Sequence, residues 1–208
     1  MRKWLKWNRK ERDNLLNTSI LEKTENGYIS YDIFQKLAGD RLLFISEPID
    51  DRIATDIVAC LYHLDSEDDS KKISLYINSE DGDIRSVLMI YDVIKMMKSP
   101  IETVCVGSAF GEAAVLLSAG TKGMRLATRS ALICMNQILF HEFVHSDMHD
   151  AKTLLSQVSS DNDRVMKILS KTTGKTLSKV KKDCTKKMYM DAAQAKAYGI
   201  IDKVIGAK

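Results

Sequence analysis

Two stretches of this chain carry residue types at spacings that enzymes use. The first is Cys105-Val106-Gly107-Ser108-Ala109-Phe110-Gly111-Glu112-Ala113-Ala114. An apolar strand, a glycine turn and a small-residue helix start follow one another, as they do where a hydrolase presents its nucleophile on a sharp turn. The elbow position is Gly111, which has no side chain to attack with. The second is His141-Glu142-Phe143-Val144-His145, a literal H-E-x-x-H string. On a helix both histidines would share one face as zinc ligands, with Glu142 as the base. His149 lies one turn further on, but the third ligand position of the extended zinc motif falls on Ala151, and the glycine between is missing.

Other groups have bland readings. Ser108 precedes the elbow, Ser118 falls within a helix and Cys134 sits on an apolar strand; each reads as structural. Asp81 and Asp83 form an Asp-x-Asp pair that lacks the remaining ligands of a calcium loop. No metal site and no cofactor is expected.

The elements that must position these residues alternate. Leu42–Ile45 reads as a buried strand. Asp50 and Asp51 open a helix whose apolar positions Ile53, Ile57, Leu61 and Leu64 fall on one stripe. A charged connector, Ser66–Lys72, precedes strand Ile73–Ile77 and the turn Asn78–Asp83. A second amphipathic helix carries Ile84, Val87, Leu88, Tyr91 and Ile94. Strand Ile101–Val106, the helix after the elbow and strand Leu132–Met135 follow. Alternation of this kind predicts an α/β fold with a mostly parallel sheet. Asp147–Lys171 then reads as one long helix with an apolar side that Asp161-Asn162-Asp163 interrupts; it either meets a partner or covers its own sheet. Asp191 and Gln194 form a capping box, and Gly199 ends that helix before strand Ile200–Ile205.

The 208 residues, 45% hydrophobic and 28% charged, suffice for one ordinary core. A net charge of +3 is too weak a field to suggest nucleic acid, and there is no apolar run of the ~18 residues a membrane span needs. The four cysteines form no Cys-x-x-Cys pair and read as buried reduced thiols. Residues 1–17 are expected to be a basic, flexible N-terminal arm carrying Trp4 and Trp7.

Several motifs then become specific by their order: Tyr31-Asp32-Ile33, Leu75-Tyr76-Ile77-Asn78-Ser79, Ile90-Tyr91-Asp92, Leu116 to Gly123, Thr173-Gly174 and Ala195 to Asp202. On these residues the chain resembles the proteolytic subunit family of the Clp protease (ClpP, peptidase S14), serine peptidases of a crotonase-like fold. The resemblance implies a single domain over 18–208, with flanking helices and a protruding handle, a strand plus a long helix, at about 138–171. Residue by residue, the family's nucleophile falls on Gly111, its general base on Asn136 and its orienting acid on Lys187. Gly82 and Glu112 stand at the positions equivalent to the oxyanion hole. The H-E-x-x-H string falls on the handle strand, where its side chains would point differently from those of a helix.

An acyl transfer needs a nucleophile, a base and oxyanion donors. Glycine supplies no oxygen, an amide is not a base, and a lysine would repel an imidazolium. Losing such a triad costs on the order of 10⁶ in turnover. The loop Glu80-Asp81-Gly82-Asp83 also puts carboxylates where an oxyanion would form, with like charges costing ~4 kcal/mol at ~4 Å; alternatively it is a solvated surface turn.

The resemblance therefore implies a triad-less member of the kind called ClpR. Such members are structural subunits of a heptameric ring, formed with copies of the same chain or with an active ClpP paralogue, that help dock an AAA+ unfoldase. Docking positions fall on Ser74, Tyr76 and Met96. The competing expectation is a hydrolase with an unorthodox site, either the His141-Glu142-x-x-His145 string or a shifted nucleophile. A Lys-rich, Pro-poor chain suggests the stroma of a plastid-type organelle, apicoplast or chloroplast, with a bacterial cytoplasm as the alternative. No nucleic-acid or membrane partner is expected.

Overall fold

The computed structural model describes residues 19–24, 27–138 and 148–206. The arm over 1–17 and the His141–His145 string lie outside the described residues. The chain divides into two compact units, Met1–Asp40 and Arg41–Lys208.

In the first unit, β1 (Ser19–Thr24) pairs antiparallel with β2 (Gly27–Asp32), Ser19 opposite Asp32. Helix α1 (Ile33–Gly39) follows directly, because the Asp32 carboxylate accepts from the Phe34 N–H at 2.8 Å and caps it. The sequence pattern predicts no element here.

The second unit holds the alternation that the sequence predicts. Strands β3 (Leu42–Ile45), β4 (Ile73–Ser79), β5 (Ile101–Phe110), β6 (Arg125–Thr128) and β9 (Lys203–Ile205) lie side by side in that order, all parallel. Helices α2 (Asp51–Glu67), α3 (Ile84–Met96) and α4 (Glu112–Ser118) are the crossovers. Ile53, Ile57, Leu61 and Leu64 are all buried, as the stripe on α2 requires. At about 1.5–3 kcal/mol for each fully buried aliphatic side chain, this stripe and its counterpart on α3 hold both helices to the unit's core. All seven residues of α4 are buried, a charged Glu112 among them. The fold is mixed α/β with a mostly parallel sheet flanked by helices.

Strand β5 is longer than expected, and the extension matters. Its first half pairs with β6, Thr103 to Cys105 against Arg125 to Ala127. Its second half pairs with β7 (Leu132–Met135), Ser108 to Phe110 against Leu132 to Cys134. The chain changes partner at Gly107, where φ is +99° and a Cβ would collide with the Asn78 side chain. Glycine is needed there on both counts. Strand β8 (Met188–Asp191) adds antiparallel to β7, so the fork ends in a small two-stranded extension of the main sheet.

The long helix α5 spans Met148–Thr173, close to the expected range, and α6 (Leu177–Asp183) follows it. The acidic interruption of its apolar side is used on all three counts. Asp161 is buried and accepts from the Gln157 amide. Asn162 accepts from the Ile138 N–H, and Asp163 pairs with Lys181 at 2.7 Å. Helix α7 (Ala192–Tyr198) carries the capping box, and Gly199 closes it at φ +104°. The last strand is shorter than expected. Ile200 and Ile201 are buried outside it, and pairing with β6 begins only at Lys203. Among the described residues no helix is long and apolar enough to cross a membrane.

Candidate functional site

Three chain segments meet at the end of the β5–β7 fork. Strand β5 delivers Gly111 to the start of α4. Its backbone sits at φ +52°, ψ −114°, a conformation that strains any side chain, and its N–H donates to the Cys134 carbonyl at 2.9 Å. This is the sharp strand-to-helix turn on which hydrolases mount a nucleophile. Strand β7 delivers Asn136. Strand β8 begins just after Lys187, and since Met135 pairs with Met188, Asn136 and Lys187 occupy the next register position.

These positions are brought together. A Cβ added to Gly111 would stand 3.2 Å from Asn136 Oδ1 and 3.5 Å from its Nδ2. The Asn136 amide itself donates to the Gln137 carbonyl at 2.6 Å. Lys187 is exposed. Its charge opposes the burial that raises the Cys134 thiol, and burial prevails. Burial, with Asp56 adding to it, raises the Cys60 thiol too. Burial pushes Cys105 up to about 12 and, with Asp183 and Cys134 nearby, Cys184 up to about 11. None is a ready nucleophile.

The shifted hydroxyls are also committed. Ser108 Oγ donates toward Asn78 Oδ1 at 3.1 Å and lies 3.3 Å from Glu80 Oε1. Ser118 is buried and donates to the Val115 carbonyl. Asp183, the acid nearest Lys187 in sequence on α6, accepts from Lys179 and from the Tyr198 hydroxyl at 2.8 Å.

Beside Gly111 lies a cleft of about 720 Å³ bordered by the N-terminal ends of α2, α3 and α4. Helix N-termini present N–H groups and a positive dipole end, the setting that suits an anion. Here the chain's own carboxylates take that place. Asp50 accepts from the Ile53 N–H on α2, and Asp83 from the Arg85 and Ser86 N–H groups on α3. Asp81 accepts from the Gly82 N–H at 2.8 Å, the group the resemblance expects as an oxyanion donor. Glu80, Asp81 and Asp83 are exposed, as in a solvated surface turn, and each has a hydrogen-bond partner.

Glu112 stands behind them, 6% exposed. Burial pushes its carboxyl up to about 7, against an opposing hydrogen bond from its own N–H and with smaller contributions from Asp81 and Asp83. Asp161 and Gln157 of α5 also line the cleft. Sequence reading saw Asp161 only as a break in an apolar face; an acid at a position the helical period gives to the core was the available signal.

The positions that the resemblance expects to dock a partner lie elsewhere, on β4 and α3. Tyr76 is half-buried and stacks on Phe44, ring centroids 5.0 Å apart. Met96 ends α3 and is 62% exposed. Ser74 is buried, and its hydroxyl donates to Glu102 at 2.9 Å. Among the described residues no group of three His, Cys, Asp or Glu side chains is placed to hold a metal ion. Compared with known protein families, residues 24–208 match the model described as Clp protease.

Proposed function

The chain belongs to the Clp protease family, and from that premise we propose that it is a non-catalytic subunit of a Clp protease ring, of the ClpR type. The family is one of serine peptidases whose members typically form ring oligomers. The observation that carries the proposal is the facing pair Gly111 and Asn136. Where a hydroxyl and an imidazole would have to meet, there is a hydrogen atom and an amide. Neither can attack or deprotonate. The Asp81 carboxylate on the Gly82 N–H adds to this, since an oxyanion would have to displace it.

What such a chain retains is a scaffold for assembly. In this reading residues 18–208 form one subunit of a heptameric ring, built with copies of itself or with an active ClpP paralogue. The handle at about 138–171 meets the opposite ring, and the positions Ser74, Tyr76 and Met96 help receive an AAA+ unfoldase. A plastid-type organelle, with a bacterial cytoplasm as the alternative, completes the proposal on composition alone. The test is native mass spectrometry of the chain with and without an active paralogue, alongside a fluorogenic peptide assay with and without chelator. Mixed rings and no turnover by the pure chain are expected. Turnover by the pure chain overturns the proposal, and its loss on chelation would assign it to the His141–His145 string.

A further inference from the structure

The cleft beside Gly111 has an unusual balance of charge for a pocket set at three helix N-termini. Asp50, Asp81, Asp83, Glu112 and Asp161 line it, and among its described lining residues Arg85 is the one cation. Glu112 is nine-tenths buried, opens on the cleft, and among the described residues no other side chain donates to it. Asp161, equally buried in the lining, has the Gln157 amide as its neighbour. Ile49, Ile84, Leu154 and Val158 supply apolar wall between these acids.

We propose that this cleft binds a basic side chain of an extended peptide, the cationic head toward Glu112 and the aliphatic stem along the apolar wall. The acids are spread around the walls, and no three are placed to share a metal ion. That spacing suits a guanidinium or ammonium carrying several donors rather than a bare ion. A volume of about 720 Å³ accommodates the side chain together with flanking residues. A buried carboxylate to which no other described side chain donates gains most from a charged partner. The inference rests on the reading above, since a peptide held beside Gly111 then stays intact.

Binding is coupled to the proton on Glu112, which sits at about 7 with Asp81 and Asp83 of the turn before α3 as its charged neighbours. Asp50 at the start of α2, Arg85 on α3 and Asp161 on α5 complete the charged groups of the described lining. A cation favours the ionised form, so affinity falls as the pH drops from 8 to 6.

The test uses the full chain and a fluorescein-labelled pentapeptide amide, Ala-Leu-Arg-Leu-Ala, against its citrulline and norleucine counterparts, read by anisotropy. The arginine probe is expected to bind about tenfold more tightly than citrulline at pH 8, and Glu112→Gln to abolish that preference. Asp161→Asn should reduce it independently, with melting curves confirming that both variants fold. Equal affinity for the three probes, no binding of any, or an undiminished preference in Glu112→Gln overturns the proposal. Displacement of the arginine probe by millimolar magnesium or calcium as effectively as by arginine amide would make the site one for simple cations and overturn it too. Mass spectrometry of the same samples reads cleavage: a cut probe counts against the non-catalytic function, while the arginine-to-citrulline ratio alone decides this inference.

Discussion

A side chain placed on Gly111 would point at Asn136, its Cβ only 3.2 Å from the amide oxygen. The strained turn of a nucleophile elbow is kept at φ +52° although glycine has no need of it for display. The β5–β7 fork sets this approach, because Gly111 N–H is tied to the Cys134 carbonyl two residues before Asn136. If Gly111 and Asn136 hold the places proposed for attacker and base, the scaffold that would align those groups persists with neither of them on it.

Restoring one group should not restore chemistry. Gly111→Ser places a hydroxyl beside an amide that cannot take its proton, and it adds about 1–3 kcal/mol of backbone strain. Neither this variant nor the wild type should label with a fluorophosphonate probe. Gly111→Ser with Asn136→His should label slowly, since Lys187 and the Asp81 carboxylate remain in place. Rapid labelling of the single variant would show another base within reach.

Glu112 gives the stability a pH dependence of definite sign. Its folded pKa is raised, to about 7, above the ordinary carboxyl value. Its favourable contribution is therefore complete below about pH 4.3, the unfolded value, and is lost as pH rises through about 7. The loss is on the order of 3 kcal/mol above pH 8. Glu112→Gln should melt higher than the wild type at pH 8 and differ least below about pH 4.3. Equal pH profiles for the two proteins would remove the burial cost from the account.

Elements with a clean period were legible in the sequence. Strands Leu42–Ile45 and Leu132–Met135 fall where alternation and length place them, and α2 buries the four residues its stripe names. Short pieces held by tertiary pairing were not. Strand β6 begins at Arg125, and β8 carries only Met188–Asp191, with no local apolar signal strong enough to outweigh their charged surroundings. Gly107–Phe110 read as a turn because of its glycine, yet the Asn78 side chain makes that glycine part of a strand. At the site, the nearness of Gly111 to Asn136 came through the resemblance, not the spacing. Asp161 stayed hidden because only α5 folding against the cleft turns an interruption into a wall.

Arg41 is a second residue with no sequence signal. It stands at φ +65°, outside the usual range for its type, and its guanidinium donates to the carbonyls of Leu64, Asp68, Lys71 and Lys72 and to Ser99 Oγ. It thereby satisfies the C-terminal end of α2, whose last carbonyls have no helical partner. Arg41→Met should cost about 2–4 kcal/mol by chemical denaturation, and Arg41→Lys should recover little, because an ammonium cannot reach four carbonyls with one planar fork. A full rescue by lysine would reduce the role to simple charge.

Arg125 and Asp202 form the most buried ion pair among the described residues, at 2.6 Å, with Arg125 5% exposed. Arg125 also donates to the Thr172 carbonyl at the end of α5, and the Asp202 carboxylate accepts from the Gly123 and Arg125 N–H groups. Burial alone would raise the Asp202 pKa, but the bonds and charge from Arg125 outweigh it and hold the carboxyl below its ordinary value. A depressed pKa contributes stability that is present above the unfolded value of about 3.9 and lost as pH falls through the folded value. Asp202→Asn should therefore cost about 3–5 kcal/mol at pH 7, by leaving a buried guanidinium without its counter-charge, and the gap to wild type should narrow in acid. Arg125→Met with Asp202→Leu should recover part of that loss only, since the Thr172 carbonyl and the Gly123 N–H then go unpaired. A constant gap between wild type and Asp202→Asn from pH 7 down to pH 3 would mean that the carboxylate charge plays no part in holding β6, β9 and α5 together.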